Sequence, residues 1–344
     1  MYALARALLF ALDAESAHQL TLFSLRMAQH LGLLRSTAPE SAQPVDLMGL
    51  TFANRIGLAA GFDKNATCVD AMGALGFGFV EVGTLTPKGQ PGNPRPRVFR
   101  VPKARAVINA MGFPNEGVAA AVRRLRQRRY NGVCGVNIGK NAATPLEEAT
   151  ADYVAALQAV YESADYVTIN ISSPNTQGLR QLQHGDHLRP LLQALLVTRD
   201  ELAERVGWRV PLVVKLSPDL SAEELAATAG VIRELGLDGV IATNTTLDRV
   251  AVAGLAHAQR PGGLSGEPLR ARSTSVIRRL RELLGPDMPL IGVGGISSAA
   301  DAAAMFAAGA DLIQVYTGLI YRGPGLVGEL VAADARRQPR PNRP

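Results

Sequence analysis

The sequence predicts an α/β protein, a (β/α)8 TIM barrel with an N-terminal helical extension, and three observations carry that expectation. Eight short apolar runs rich in Val and Ile recur from about Asn54 onward. Stretches with apolar residues at helical spacing separate several of them. Polar residues gather directly after the runs, where strands would end. The runs span 56–60, 79–83, 135–138, 167–171, 212–216, 239–243, 290–293 and 312–315. They show too little alternation for one face to meet water, as expected of strands buried on both faces of a parallel sheet.

Helices are expected over 153–163, 188–205, 222–235 and 299–308. Ser221 with Glu224 three residues later has the form of a capping box. Eight strands, each followed by a helix or a long loop, fit a closed barrel. An open doubly wound sheet is the alternative. No short-period repeat or linker interrupts the chain after Asn54, and the first ~45 residues form two helical stretches ending near Pro44.

Composition sets the outer limits. With 344 residues, 47% of them hydrophobic and 19% charged, the chain is an ordinary globular protein with material for a large core. Cys68 and Cys134 lie far apart without metal-ligand spacing, which argues against a disulfide scaffold or zinc site and fits a reducing compartment. The formal charge of +6 is concentrated in arginine. Arg123, Arg124, Arg126, Arg128 and Arg129 read as the wet face of a helix. Arg336, Arg337, Arg340 and Arg343 lie in a Pro-rich tail expected to be disordered. No aromatic residues interleave with either cluster, so nucleic acid is not an expected partner. A small anionic substrate or an anionic membrane surface accounts for the sign.

The apolar run 2–12 is interrupted by Arg6 and is well short of the ~20 residues a membrane span needs. Asp13 and Glu15 follow it directly, which argues against a secretory signal.

Candidate chemistry lies at the strand ends. Ala60-Gly61-Phe62-Asp63-Lys64 follows the first run and Thr84 the second. Asn137 ends the third, Asn170 and Ser172-Ser173-Pro174-Asn175-Thr176 the fourth, Lys215 the fifth, and Thr243-Asn244-Thr245 the sixth. Gly292-Val293-Gly294-Gly295 belongs to the seventh and Tyr316-Thr317-Gly318 to the eighth. In a barrel these ends converge on one face, where active sites are built. The last two glycine-containing segments suit close backbone approach to a phosphate, although they do not complete a dinucleotide fingerprint. The asparagines suit a planar, amide-rich ligand. Of Lys64 and Lys215, one can neutralise a substrate carboxylate and the other can stabilise negative charge on a reduced cofactor ring. No carboxylate pair is placed for glycoside hydrolysis. His184 and His187 have no further ligand nearby in sequence and read as solvent-exposed.

In combination and order these segments resemble the dihydroorotate dehydrogenases, specifically the membrane-associated, quinone-reducing class 2 enzymes. The resemblance covers about residues 12–330 and includes Asn109-Ala110-Met111-Gly112-Phe113 and Gly262-Gly263-Leu264-Ser265-Gly266. It implies FMN held by Ala60, Gly61, Phe62, Asp63, Lys64, Thr84, Asn137, Asn170, Lys215, Thr243, Gly266, Gly295, Tyr316 and Thr317. It implies dihydroorotate or orotate held by Lys64, Asn109, Ala110, Met111, Gly112, Phe113, Asn170, Asn175, Asn244 and Thr245. Ser173 matches the position of the catalytic base. Class 1 relatives carry cysteine there, so serine points to class 2. Thr176 and a water would relay the proton, while His18, Arg100 and Tyr316 match positions lining the quinone site. Ala110 departs from the larger residue many relatives carry.

The implied organisation is an N-terminal membrane- and quinone-binding extension over 1–43, an FMN-binding barrel over 44–335 and a basic tail over 336–344. The expected protein is a monomer attached peripherally to the cytoplasmic face of the inner membrane. The competing expectations are a soluble class 1-type enzyme using fumarate or NAD, and a non-catalytic barrel binding a phosphate ligand.

Overall fold

A computed structural model describes residues 2–34 and 42–336. The basic tail expected over 336–344 lies outside the described residues except for Arg336. Two helices come first, α1 (Tyr2–Ala11) and α2 (Ala14–His30), where the sequence expects them. Asp13 separates them and caps α2, its carboxylate accepting from the N–H groups of Glu15 and Ser16 at 3.0 Å.

Thirteen strands follow among the described residues. A hairpin of β1 (Val45–Leu47) and β2 (Leu50–Phe52) precedes the first barrel strands, β3 (Ile56–Leu58) and β4 (Phe79–Leu85). The chain then leaves the barrel as an antiparallel pair, β5 (Val98–Val101) and β6 (Ala106–Asn109), and returns for β7 (Val133–Ile138), β8 (Tyr166–Asn170), β9 (Leu212–Leu216) and β10 (Gly239–Ala242). A second excursion adds β11 (Gly263–Gly266) to β6, and β12 (Leu290–Val293) and β13 (Leu312–Val315) complete the barrel. Its eight strands close in the order β3-β4-β7-β8-β9-β10-β12-β13, every pair parallel. This is the predicted closed barrel and not the open sheet.

The runs work as strands because they are apolar on both faces. β4, β7, β8 and β9 are buried along their whole length. Outward-facing residues meet the surrounding helices, while Phe79, Tyr166, Val213, Ile241, Ile291 and Leu312 form a separate cluster with Phe52. Phe52 comes from the hairpin and meets Phe79 edge to face at 5.2 Å. Burying an aromatic side chain such as Phe79 stabilises by roughly 1.5–3 kcal/mol. Glycine makes room for these rings: a Cβ on Gly57 would lie 2.3 Å from Phe79, and one on Gly135 would lie 2.1 Å from Tyr166.

Helix Ala222–Leu235 has the expected capping box. Ser221 Oγ accepts from the Glu224 N–H at 3.1 Å, and Glu224 accepts from the Ser221 N–H at 2.8 Å. Of the five arginines expected on one helix face, Arg123 and Arg124 lie in the last turn of the helix Val118–Leu125, Arg126 caps it, and Arg128 and Arg129 lie beyond its end. Three of the five are also tethered, Arg124 to Glu116, Arg126 to Glu162 and Arg128 to Asp165. His184 is exposed and stands 3.7 Å from Glu224. No helix among the described residues is long and apolar enough to cross a membrane.

The N-terminal helices dock through one face each. Tyr2 donates to the carbonyl of Ile320, Arg6 to that of Tyr321, and Phe10 meets the Tyr321 ring edge to face. The opposite face of α1 exposes Leu4 and Leu8, and α2 exposes Leu20, Phe23 and Met27 at helical spacing. Most of the exposed large apolar side chains among the described residues belong to this segment.

Candidate active site

The C-terminal ends of the barrel strands open into a cleft. It is lined by Ala60, Gly61, Lys64, Thr84, Asn170, Ser173, Lys215, Thr243, Gly266, Gly295, Tyr316 and Thr317 from strand ends and β11. Asn109 at the end of β6 lines it too, with Met111, Gly112, Phe113, Asn175, Asn244 and Thr245 from the overlying loops. Residues separated by more than 250 positions thus meet because every barrel strand points the same way.

Four residues expected at ligands stand outside the lining. Asp63 is fully buried and organises its own loop: its carboxylate accepts from the N–H groups of Asn65, Thr67 and Cys68. Phe62 turns away from the cleft, its ring meeting His18 at 5.2 Å and Tyr316 at 5.6 Å, both edge to face. Ala110 is occupied through its backbone, bonded to the Arg97 carbonyl and the Asn93 side chain. Asn137 lies one layer below the floor. Its Oδ1 accepts from Thr84 at 2.6 Å and from Asn170 at 3.1 Å, and its Nδ2 donates to Glu81 at 2.8 Å.

Glu81 anchors this network from inside the barrel and is fully buried. It also accepts from the Tyr166 hydroxyl at 2.9 Å and from Gln314 Nε2 at 2.6 Å. A buried carboxylate is costly unless its oxygens are satisfied, and three donors satisfy this one. From Glu81 the network rises through Asn137 to Thr84 and Asn170, then to Asn244 and Ser172, so the amides at the cleft wall have fixed orientations. The signal for Glu81 was a lone carboxylate in an otherwise apolar strand. Gly294, Ser265 and Gln314 also line the cleft. The first two stand inside segments singled out by sequence, but neighbours in the same segments carried the expected roles.

Two lysines meet the cleft. Burial holds the Lys215 ammonium below the ordinary lysine pKa, opposed by the charge of Glu81. Lys64 donates to the Gly61 carbonyl at 2.5 Å. Its pKa is lowered to about 8 by burial, against the charges of Glu15 and Asp63. Ser173 is buried, and its Oγ accepts from the Asn175 N–H at 3.3 Å. Thr176 Oγ1, three residues on, is buried with no hydrogen-bond partner among the described residues.

The N-terminal segment reaches the cleft edge through His18, Phe62 and Tyr316, whose hydroxyl donates to the Gly61 carbonyl at 3.2 Å. Burial and the charge of Lys64 lower the His18 pKa to about 3, so this imidazole is neutral at ordinary pH. Arg100 sits at the joint of α1 and α2, donating to the carbonyls of Leu9 and Leu12 and lying 4.6 Å over the Phe10 ring. A cation there satisfies orphan carbonyls at the end of α1.

Comparison with known proteins matches this architecture to one family. The family model described as dihydroorotate dehydrogenase covers residues 43–333. A protein of Paracidovorax citrulli named dihydroorotate dehydrogenase (quinone) is 54% identical over 99% of this chain and 98% of its own length. A protein of the same name from Chromobacterium violaceum is 56% identical over 98% of each. The structure of DHODH from Eimeria tenella in complex with ferulenol superposes with a TM-score of 0.86 at 39% identity, covering 93% of this chain and 90% of that one. The ligand-free form gives 0.85 at 40% identity, covering 93% and 94%. Matched by the family model over most of its length and more than half identical to the Paracidovorax citrulli and Chromobacterium violaceum proteins nearly end to end, the chain belongs to the dihydroorotate dehydrogenase family.

Proposed function

We propose that this protein oxidises dihydroorotate to orotate in pyrimidine biosynthesis and passes the electrons through a flavin to a membrane quinone. The observation that carries the reading is the cleft: a lysine, a ring of oriented asparagines and a buried serine face the same space as a second lysine and a glycine cradle. The name shared by the near relatives, with its quinone acceptor, supports the same reaction.

The family is flavin-dependent, and we propose FMN as the flavin here. The residues present fit it. Gly266 and Gly295 line the cleft with φ of +100° and +73°, backbone that glycine adopts readily, and with no side chain of their own they leave their peptide groups open to a phosphate. Lys215 on the floor suits the electron-rich edge of a flavin ring. Bound there, the flavin would supply the two-electron redox chemistry between dihydroorotate and quinone.

The chain's own groups do the rest. Lys64 neutralises the substrate carboxylate. Asn109, Asn170, Asn175 and Asn244 hold the polar edges of the pyrimidine ring through amide donors and acceptors. Ser173 takes the proton from the ring carbon, and Thr176 with a water carries it away. The unpartnered buried hydroxyl of Thr176 supports that relay, since such a group needs a water. Anaerobic addition of dihydroorotate should bleach the flavin absorbance of the purified protein, and short-chain quinone should restore it faster than fumarate or NAD. No bleaching sinks the reading, and faster recovery with fumarate or NAD reassigns the acceptor.

Residues 1–43 serve, on this reading, as the membrane and quinone module of the barrel formed by 44–335. The enzyme is a monomer docked peripherally on the cytoplasmic face of the inner membrane. The outward Leu4, Leu8, Leu20, Phe23 and Met27 suit that docking. Each such side chain withdrawn from water contributes roughly 1.5–3 kcal/mol. The double substitution Leu8→Glu with Phe23→Glu should therefore weaken co-sedimentation with phosphatidylglycerol vesicles by about 100-fold or more. Undiminished co-sedimentation would move the docking surface elsewhere.

A further inference from the structure

Between β4 and β5 the chain runs through Pro91-Gly92-Asn93-Pro94-Arg95-Pro96-Arg97, wedged between α2 and the loops over the cleft. Glu15 of α2 and Arg97 are both buried and form a two-point ion pair, with Nη2 to Oε1 at 2.7 Å and Nε to Oε2 at 3.1 Å. The remaining arm of Arg97 donates to the carbonyls of Pro91 and Asn93, each at 2.7 Å. One guanidinium thus fixes the backbone of this segment to the N-terminal helix.

Asn93 carries the link onward. Its Nδ2 donates to the Ala110 carbonyl at 2.9 Å and to the Asn175 carbonyl at 3.0 Å. Its backbone N–H donates to the Met111 carbonyl at 2.9 Å. Gly112 leaves it just enough room, since a Cβ there would lie 2.7 Å from the Asn93 amide. A single side chain therefore ties the loop that begins at Asn109 to the loop that carries Ser173. The same two loops are joined inside the cleft by Asn175 Nδ2 to Asn109 Oδ1 at 3.1 Å. Asn93 itself does not line the cleft.

We propose that Asn93 is a positioning residue for dihydroorotate oxidation, clamping the two substrate-side loops together, and that the Glu15–Arg97 pair holds the clamp in register. The inference rests on the proposed function. It gives α2 a part in the dihydroorotate side of the cleft as well as in the acceptor side. A misplacement of about 1 Å at a reacting centre costs on the order of 100-fold in rate, and the Asn175 carbonyl that Asn93 holds is two residues from Ser173.

The test uses the flavin-loaded full chain and follows the two half-reactions separately. Asn93→Asp keeps the shape of the side chain, removes both donated hydrogen bonds and turns a carboxylate toward two carbonyl oxygens. Flavin reduction by dihydroorotate, as limiting rate over half-saturating concentration, should fall by roughly 30-fold or more. Reoxidation of the dithionite-reduced variant by short-chain quinone should stay within about twofold of the parent. Glu15→Gln should slow flavin reduction in the same direction, by roughly three- to tenfold.

Flavin reduction by Asn93→Asp within about twofold of the parent, or equal loss in both half-reactions, overturns the proposal. If Asn93→Asp does not yield loaded protein, Glu15→Gln decides, and no slowing of its flavin reduction overturns it. A parent protein that dihydroorotate does not bleach fails at the proposed function. An active parent with unaffected variants fails only here.

Discussion

Ser173→Ala is expected to lower dihydroorotate-driven flavin reduction by roughly 10²–10⁴-fold, the range for losing a general base, while the protein stays yellow. A serine hydroxyl is a weak base in water, so the size of the effect depends on its setting. Ser173 is buried in the loop after β8 and faces the cleft. Among the described residues its Oγ receives a single long bond, from the Asn175 N–H, which leaves a lone pair for the substrate proton. Lys64 stands in the same cleft to stabilise the negative charge that develops as the proton leaves. Thr176→Val, close in shape but unable to relay, should slow the same step by less. Stopped-flow reduction at the parent rate in Ser173→Ala would remove Ser173 as base.

Lys64→Met is expected to weaken orotate binding by about 2–5 kcal/mol, the usual cost of removing one partner of a buried charge pair, or roughly 30-fold and upward. The pH dependence distinguishes loss of charge from loss of shape. The Lys64 pKa is lowered to about 8, chiefly by burial. An orotate carboxylate beside it favours the ammonium and raises that value in the complex. Binding therefore takes up a proton above pH ~8: affinity is flat below that pH and falls by up to about tenfold per unit as pH rises past it. Orotate titrations followed by flavin absorbance between pH 6.5 and 9 measure this directly. A parent affinity that stays flat across pH 8, or a Lys64→Met protein with unaltered affinity, would assign the carboxylate another partner.

These expectations were reachable because the barrel is legible in the chain. Strands buried on both faces leave continuous apolar runs, and all eight runs proved to be barrel strands. Ends were less clear: β4 continues past Gly83 to Leu85 through a shift in register between Val82 and Leu85. The three-stranded sheet of β5, β6 and β11 was not legible. Its strands are four residues each, β5 carries an arginine and β11 two glycines, and β11 joins β6 across more than 150 residues with no local turn to announce it. Helix Arg270–Leu284 was hidden similarly, since arginines crowd a narrow stripe of Ile277, Leu280 and Leu284.

Within the site, a contiguous motif does not reveal which way each side chain turns. Lys64 faces the cleft while Phe62 and Asp63 face away. Asn93 and Arg97 gave no sign at all, because their work is done on backbone carbonyls distant in sequence.

The small sheet outside the barrel has a consequence for how this enzyme can change. In its ladder Gly263 stands opposite Asn109, and Gly266 opposite Ala106. One end of that ladder carries a proposed substrate ligand and the other the proposed phosphate cradle. The ladder is thus a ruler that sets the distance between the two molecules that must exchange electrons, and it is marked in steps of about 3.3 Å. Barrel strands can be repacked without moving its marks. A single inserted or deleted residue in β6 or β11 slides one molecule past the other by a full step and turns every side chain over. Variation that retunes the substrate should therefore accumulate in side chains around the cleft, and the lengths of these two strands should resist it.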